Sequence, residues 1–288
     1  MIARGVREFS GLLDLVKALE NKDSQARGEQ VIWMLSTLGI ESSFQQRHHP
    51  HIKNIVVDFV PSSGNKKPVF SAHYDVVKGS PGANDDASGV AVLLKLCEHL
   101  KQHPLPARIV FFDREEAWIR TPVLKLGLLG SMYYVFGNDL SNVSAVFNLE
   151  FCGAGECVAI WPVKSRERDF PAIKAVETAA SRLELPHKAA HVPWFILSSD
   201  HLSFRMRGVS NALTLSLVPL AQLPAFERWV SGLSIPALIT GRRPVPPQAL
   251  SRIHTAADTA SELSEQSLGL MLSLLIEVLS QQSQLGLA

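Results

Sequence analysis

The stretch PVFSAHYDVVKGSPGANDDASGVAVLLKL, residues 68–96, decides the fold class of this chain. Its beginning, 68–73, is a short apolar run, which is typical of a buried strand. From residue 87 to residue 100 the apolar side chains recur with the 3.6-residue period of a helix. A strand that leads through a turn into a helix is one unit of an α/β sheet.

The same alternation continues along the chain. Apolar runs rich in β-branched or aromatic residues predict strands at 55–60, 68–73, 108–112, 144–149, 158–161 and 212–217. Helical periodicity predicts helices at 11–19, 30–38, 87–100, 171–183 and 262–279. We therefore predict an α/β three-layer sandwich, in which a central, mostly parallel mixed β-sheet is flanked by helices.

The domain organisation is simple, because no repeat and no Gly/Ser-rich or Pro-rich linker divides the chain. We predict a single domain over residues 1–288. The Pro-rich stretch at 219–250 cannot form a central strand or a long unbroken helix. We predict a lid or rim loop there, although a passive surface loop fits equally well.

The charged residues nearly balance, since 28 Lys+Arg stand against 27 Asp+Glu for a net charge of +1. Phosphate backbones bind clustered excess Lys and Arg, so we expect no nucleic-acid partner. No apolar segment has the length of a transmembrane helix, so we expect no membrane partner. The cysteines lack CxxC spacing and the N-terminus lacks a signal-peptide pattern, which favours a cytoplasmic location. The sequence carries no signal of oligomeric state.

Ionisable side chains stand where the predicted strands end. His73 and Asp75 follow one strand, Glu115 and Glu116 follow the next, and Glu150 ends a third. In open α/β sheets the loops beyond the carboxyl ends of the strands converge on one crevice. Two adjacent carboxylates at the end of a buried strand repel each other unless a cation or a proton neutralises them. The positions indicate a site, although a solvated loop end would also explain the acidic pair.

Two more candidate positions lie at predicted helix starts. Asp85 precedes the apolar helix that begins near residue 87, where an acidic residue is also favoured by the helix dipole alone. His254 precedes the C-terminal helix, and Asp258, four residues on, could fix its imidazole tautomer or simply begin that helix. Mixed imidazole and carboxylate ligands suit Zn²⁺, and a bridging carboxylate suits two divalent ions about 3.5–4 Å apart. Together the positions predict metal-assisted hydrolysis.

The sequence resembles the zinc aminopeptidases, which are co-catalytic metallo-exopeptidases related to glutamate carboxypeptidase II and the glutaminyl cyclases. Six motifs carry the resemblance in order: SAHYD, PGANDDASGVAVLLKL, RIVFFDREE followed by GLLGS, NLE, SSDHLSF and IHTAAD. The resemblance implies one or two Zn²⁺ ions per chain. It also implies a hydrolase that releases the N-terminal residue of a small peptide or cleaves an amino-acid amide.

The resemblance assigns roles to individual residues. Glu115 would be the general base, and Asp75 would lie behind one of the ligating histidines. One carboxylate, that of Asp85, would bridge both ions. The metal ligands that it implies are His73, Asp85, Glu116, Glu150 and His254.

Three residues are candidates for contact with the substrate. Asp200 and His201 in SSDHLSF match a motif that lies near the substrate in the family, although an N-capping Asp beside an exposed His is an alternative. Trp118, next to the acidic pair, is a candidate for an apolar side-chain pocket.

Two departures keep other activities open. Glu150 stands where the aminopeptidases usually have Asp, and a Glu there goes with some carboxypeptidases. FFDREEAW and the insert after it resemble the glutaminyl cyclases, yet those enzymes place a Trp before the last His, where this chain has Ile253. Formation of N-terminal pyroglutamate is therefore the second hypothesis. A carboxypeptidase or a non-catalytic binding descendant is the third.

Overall fold

The computed structural model describes residues 11–48, 51–59, 66–116, 119–120, 125–192, 198–232, 240 and 244–281. Within these ranges the strands are β1 (Ser43–Arg47), β2 (Ile52–Phe59), β3 (Lys67–His73), β4 (Ala107–Phe112), β5 (Ile119–Arg120), β6 (Lys125–Leu126), β7 (Val143–Leu149), β8 (Cys157–Trp161), β9 (His187–Ala189) and β10 (Ala212–Val218). The helices are α1 (Leu12–Leu19), α2 (Ser24–Thr37), α3 (Ser88–Gln102), α4 (Leu129–Gly137), α5 (Pro171–Arg182), α6 (His201–Met206), α7 (Leu223–Gly232), α8 (Gln248–Ser251) and α9 (Glu265–Ser280).

Eight strands form one mixed sheet in the order β1-β2-β4-β3-β7-β10-β8-β9. The central strands β4, β3, β7 and β10 pair in parallel. Antiparallel pairs flank them, β1 with β2, β2 with β4, and β10 with β8. Every residue of β3 and of β10 is buried, as expected for strands covered on both faces. The predicted mixed α/β sheet is confirmed.

Helices cover both faces of this sheet. Successive residues of β3 point to opposite sides, so that Phe70 packs into a large apolar cluster with α1, α2, α3, α5 and α9. Val69 packs instead into a smaller cluster that includes Tyr134 of α4 and Phe204 of α6. The three layers of the predicted sandwich are therefore present.

Several elements were not predicted from the sequence. The edge strand β1 is mostly exposed, so it lacks the apolar alternation that reveals a half-buried strand. Helix α2 begins at Ser24 and not near residue 30, because Asp23 accepts a hydrogen bond from the Ala26 amide at 2.9 Å and caps the helix. Helices α4 and α6 were also missed, and α6 is too short to show a period.

The Pro-rich stretch at 219–250 is more regular than predicted. It contains the ten-residue helix α7, in which Pro224 is the second residue, a position where no intrahelical hydrogen bond is lost. Residues 233–239 and 241–243 lie outside the described residues, so the lid stays a prediction. None of the helices in the described ranges has both the length and the apolar character needed to cross a bilayer.

Candidate metal centre

The sequence-predicted residues gather at one edge of the sheet. His73 is the last residue of β3, Glu115 and Glu116 follow β4, and Glu150 follows β7. These three strands are parallel neighbours, so their carboxyl ends lie side by side. The loop between β3 and α3 adds Asp85, completing a cluster drawn from separate segments of the chain.

The first donor group consists of His73, Asp85 and Glu150, whose potential ligand atoms all lie within 4.8 Å of one another. The Nε2 atom of His73 is 3.0 Å from Oδ1 of Asp85 and 3.9 Å from Oε2 of Glu150. All three side chains are buried. One imidazole with two carboxylates is a ligand set that suits Zn²⁺.

The second donor group consists of Asp85, Glu116 and His254. The Nε2 atom of His254 is 2.8 Å from Oε1 of Glu116 and 3.0 Å from Oδ2 of Asp85. His254 adopts a left-handed φ of 62°, a strained conformation for a non-glycine residue that is common at functional sites. Asp85 therefore presents one oxygen to each donor group.

Asp258 holds the Asp85 loop by its backbone. Its two carboxylate oxygens accept hydrogen bonds from the amides of Asn84 and Asp85, at 2.8 and 3.2 Å. The Asp258 carboxylate therefore binds the backbone of the Asp85 loop. This role replaces the two that the sequence suggested, fixing the imidazole of His254 and beginning the C-terminal helix. That helix, α9, begins at Glu265 and is capped by Ser264.

Asp75 lies behind His73, where the family resemblance places it. Its Oδ1 atom is 3.3 Å from Nδ1 of His73, on the opposite side of the ring from Asp85. The same carboxylate accepts hydrogen bonds from the backbone amides of Glu115 and Glu116, at 3.0 and 3.1 Å. One buried side chain thus orients a potential ligand and the acidic pair together.

The electrostatics of the cluster fit a divalent cation. Burial raises the pKa of Glu150 to about 8, and burial with nearby carboxylates raises the pKa of Glu115 and Glu116. Burial would also raise the pKa of Asp85, but hydrogen bonds with His254 and His73 outweigh burial and lower it. Carboxylates that are costly to ionise together become favourable when a cation lies among them.

Asp200 and His201 are both buried, and the alternative of an N-capping Asp beside an exposed His is wrong. The side chain of Asp200 does not cap α6. Its charge acts on Glu115 and Glu150, and burial raises the pKa of Asp200 to about 7. Asp200 therefore belongs to the acidic cluster.

His201 is tied to the sheet. Its Nδ1 atom lies 2.7 Å from the hydroxyl of Thr214 on β10, and its ring packs edge-on against Trp161 with centroids 5.5 Å apart. Burial lowers the pKa of His201 to about 3, so the imidazole is neutral. Trp118, the third candidate for substrate contact, lies outside the described residues.

A buried polar chain behind Glu150 was not predicted. Ser199 donates a short hydrogen bond to Oε1 of Glu150, and Asn148 donates to Ser199 at 2.8 Å. Ser71 in turn donates to Asn148 at 2.8 Å. The signal for it was present, since Ser71 and Asn148 are polar residues inside otherwise apolar strands. Such residues are buried at a cost unless they are hydrogen-bonded.

A model of peptidase family M28 matches residues 54–279 of this chain. The chain belongs to peptidase family M28. The predicted resemblance to the zinc aminopeptidases is thereby confirmed at the level of the family.

This M28 chain is 40% identical over 147 residues to aminopeptidase YwaD of Bacillus subtilis (strain 168), which covers 49% of the chain and 30% of that protein. It is 35% identical over 105 residues to a vacuolar membrane protease of Laccaria bicolor, over 35% of the chain and 9% of that protein. The M28 chain thus spans less than a third of the length of these two relatives.

The fold of the M28 chain is similar to that of Porphyromonas gingivalis glutaminyl cyclase. That structure superposes with a TM-score of 0.69 at 20% identity and covers 96% of this chain and 98% of the other. BSAP, a zinc aminopeptidase from Bacillus subtilis, superposes with a TM-score of 0.56 at 23% identity, over 80% of this chain and 50% of the other. At these identities the similarity establishes the shared fold alone.

Proposed function

We propose that this M28 chain is a zinc-dependent aminopeptidase that hydrolyses N-terminal residues from small peptides. The observation that carries the proposal is Asp85, which offers one carboxylate oxygen to each of two donor groups. His73 and Glu150 would complete one zinc site, and Glu116 and His254 the other. When bound there, zinc supplies the Lewis acidity that lowers the pKa of water and polarises a carbonyl group.

Glu115 would act as the general base. It belongs to neither donor group, yet it is the direct neighbour of Glu116, and its pKa is raised by burial and by the surrounding carboxylates. Its amide donates to Asp75 and its carbonyl accepts from the Leu128 amide at 2.8 Å, which fixes its backbone. The carboxylate would take a proton from the attacking water and return it to the leaving amine.

The charge of the site favours the amino end of a peptide over the carboxyl end. Asp200 is buried, and its charge acts on Glu115 and Glu150. Buried carboxylates attract an ammonium group and repel a carboxylate. The negative charge of the site is therefore better suited to an aminopeptidase than to a carboxypeptidase.

Product analysis on three versions of one peptide tests the proposal. An unblocked and a C-blocked peptide should lose their first residue, and an N-blocked peptide should stay intact. The variant Glu115→Gln should keep its zinc and lose at least about a hundredfold in kcat, since general-base catalysis contributes on that order. Release of the last residue, or full activity in Glu115→Gln, would contradict the proposal.

A glutaminyl cyclase-like activity is the second candidate. It is favoured by the superposition on a glutaminyl cyclase over nearly the whole of both chains and by the FFDREEAW motif. In that case Glu115 would move a proton from the α-amine to the departing ammonia, and one zinc would suffice. A Gln-initial peptide that loses ammonia without losing a residue would favour this activity over hydrolysis.

A further inference from the structure

Arg27 is a buried cation beneath the candidate metal centre. It belongs to α2 and is 1% exposed. Its Nη2 atom donates to the carbonyls of Pro81 and Gly82, at 2.6 and 2.8 Å. Its Nε and Nη1 atoms are buried without a hydrogen-bond partner among the described residues.

Stability alone does not account for an arginine at this position. A buried guanidinium with unpaired N–H groups carries a desolvation cost that an apolar side chain of similar size would avoid. The charges that act most strongly on Arg27 are those of Asp85, Asp258 and Asp75. All three belong to the metal centre or to its support, which points to a role there.

The two carbonyls bound by Arg27 lead directly into the loop that carries Asp85. Gly82 has a left-handed φ of 62°, and a Cβ atom on it would lie 2.5 Å from Nη2 of Arg27. The glycine is therefore required both by the backbone conformation and by the close approach of the guanidinium. The guanidinium of Arg27 therefore packs closely against the turn at Pro81 and Gly82. This turn ends three residues before Asp85 in the sequence.

The turn between α1 and α2, together with the first residue of α2, holds the surrounding segments as well. Ser24 accepts a hydrogen bond from the Val76 amide at 3.1 Å, and the Asn21 amide donates to the Pro81 carbonyl at 3.1 Å. Glu20 accepts from the Ala260 amide at 2.8 Å, just beyond Asp258. The N-terminal helices thus hold both segments that place Asp85.

We propose that Arg27 is a positioning residue for the metal centre, in which its guanidinium fixes the Pro81 and Gly82 turn and so keeps Asp85 shared between the two donor groups. The inference rests on the proposed function, since it requires that the donor groups hold zinc.

The direction of the effect on zinc affinity separates positioning from electrostatics. The guanidinium and Zn²⁺ have like charges, so removing the charge of Arg27 without moving Asp85 would tighten zinc binding. Releasing the turn would instead let the Asp85 carboxylate move and would weaken zinc binding at both donor groups. A purely structural residue would change the melting temperature and leave the zinc affinity of the folded chain unchanged.

The experiment compares Arg27→Met with the wild-type full chain. Zinc affinity is measured by competition with a chromophoric chelator, and the ligand geometry by the visible absorption of the Co²⁺-substituted protein. We expect zinc affinity to fall at least about tenfold, as is typical when a residue that orients a ligand is lost, with an altered Co²⁺ spectrum. Arg27→Lys, which can still donate to both carbonyls, should restore part of the affinity.

The matched control is Arg108→Met. Arg108 is the second residue of β4, at the end of the strand remote from the metal centre, and binds Asp58 and Tyr134, so its loss should lower stability and leave zinc affinity unchanged. Unchanged or tighter zinc binding in folded Arg27→Met overturns the inference. If Arg27→Met does not fold, Arg27→Gln, whose side chain is too short to reach both carbonyls, takes its place, and unchanged or tighter zinc binding in that variant overturns the inference. A wild-type chain that binds no zinc overturns the proposed function together with the inference.

Discussion

Single residues at the centre do more than contribute a ligand atom. Asp85 is shared between two donor groups, and Asp75 contacts an imidazole and the backbone of the acidic pair. Ser199 orients Glu150, whose side chain is one methylene longer than the Asp usual in the aminopeptidases. A longer side chain has more rotamers, so its orientation depends more on a hydrogen-bond partner.

At the residue scale we predict that Ser199→Ala weakens zinc binding by about 10–100-fold, because Glu150 loses the hydroxyl that orients it. Chelator competition measures the change. Ser216→Ala is the control, since Ser216 is a buried serine that accepts from Trp161 and not from a donor residue. Equal zinc affinity in the two variants would show that Ser199 does not orient a ligand.

The two ends of the central strands have different roles, one in the candidate site and the other in stability. The carboxyl ends of β3, β4 and β7 carry donor residues, whereas the amino ends of β3 and β4 carry an ion-pair cluster. On β2, Asp58 pairs with Arg108 of β4 at 2.8 Å and also with Lys67 of β3. This ion-pair cluster ties three neighbouring strands together at the end of the sheet that is remote from the metal centre.

At the element scale we predict a pH-dependent contribution from Asp58. Burial would raise its pKa, but the hydrogen bonds from Arg108 and Lys67 lower it below 3.8. The stabilisation is therefore present above about pH 4 and is lost as the pH falls through the lowered pKa. After allowance for solvent screening, Asp58→Asn should cost about 0.5–1 kcal/mol at pH 7.

Urea unfolding of the wild type and of Asp58→Asn at pH 7 and at the lowest pH at which both proteins stay folded would measure this effect. The difference between the two proteins should shrink as the pH falls from about 4 through the lowered pKa of Asp58. A difference that is the same at both values would mean that the carboxylate charge is not its source.

The whole molecule brings together donors that are far apart in sequence. The β3 end, the Asp85 loop, the acidic pair after β4, Glu150 and His254 belong to five segments. A cation bound only by the folded chain stabilises it by mass action, about 2.7 kcal/mol at a free concentration one hundred times its dissociation constant. The single-domain organisation, the cytoplasmic location and the lack of nucleic-acid and membrane partners stay predictions.

At the scale of the whole molecule we predict that zinc removal lowers the melting temperature by roughly 5–10 °C. This range follows when the stabilisation of about 2.7 kcal/mol is multiplied by about 2–4 °C per kcal/mol, the shift typical of large domains. Scanning calorimetry before and after chelation would measure the shift, and added Zn²⁺ should restore it. Mg²⁺, which prefers oxygen ligands in octahedral geometry, should not restore it. An unchanged melting temperature would contradict the prediction that a bound cation links these segments.

The sequence by itself determined the fold class, most of the central strands and the residue types of the candidate site. These follow from local information, because periodicity and strand-end residues depend on neighbours along the chain. The family resemblance already implied that Asp85 is shared, whereas tertiary structure alone decided that Asp200 and His201 are buried and that Asp258 and Arg27 hold the Asp85 loop. These features depend on contacts between segments many residues apart, whose distances are set by how helices and strands pack and not by any local pattern.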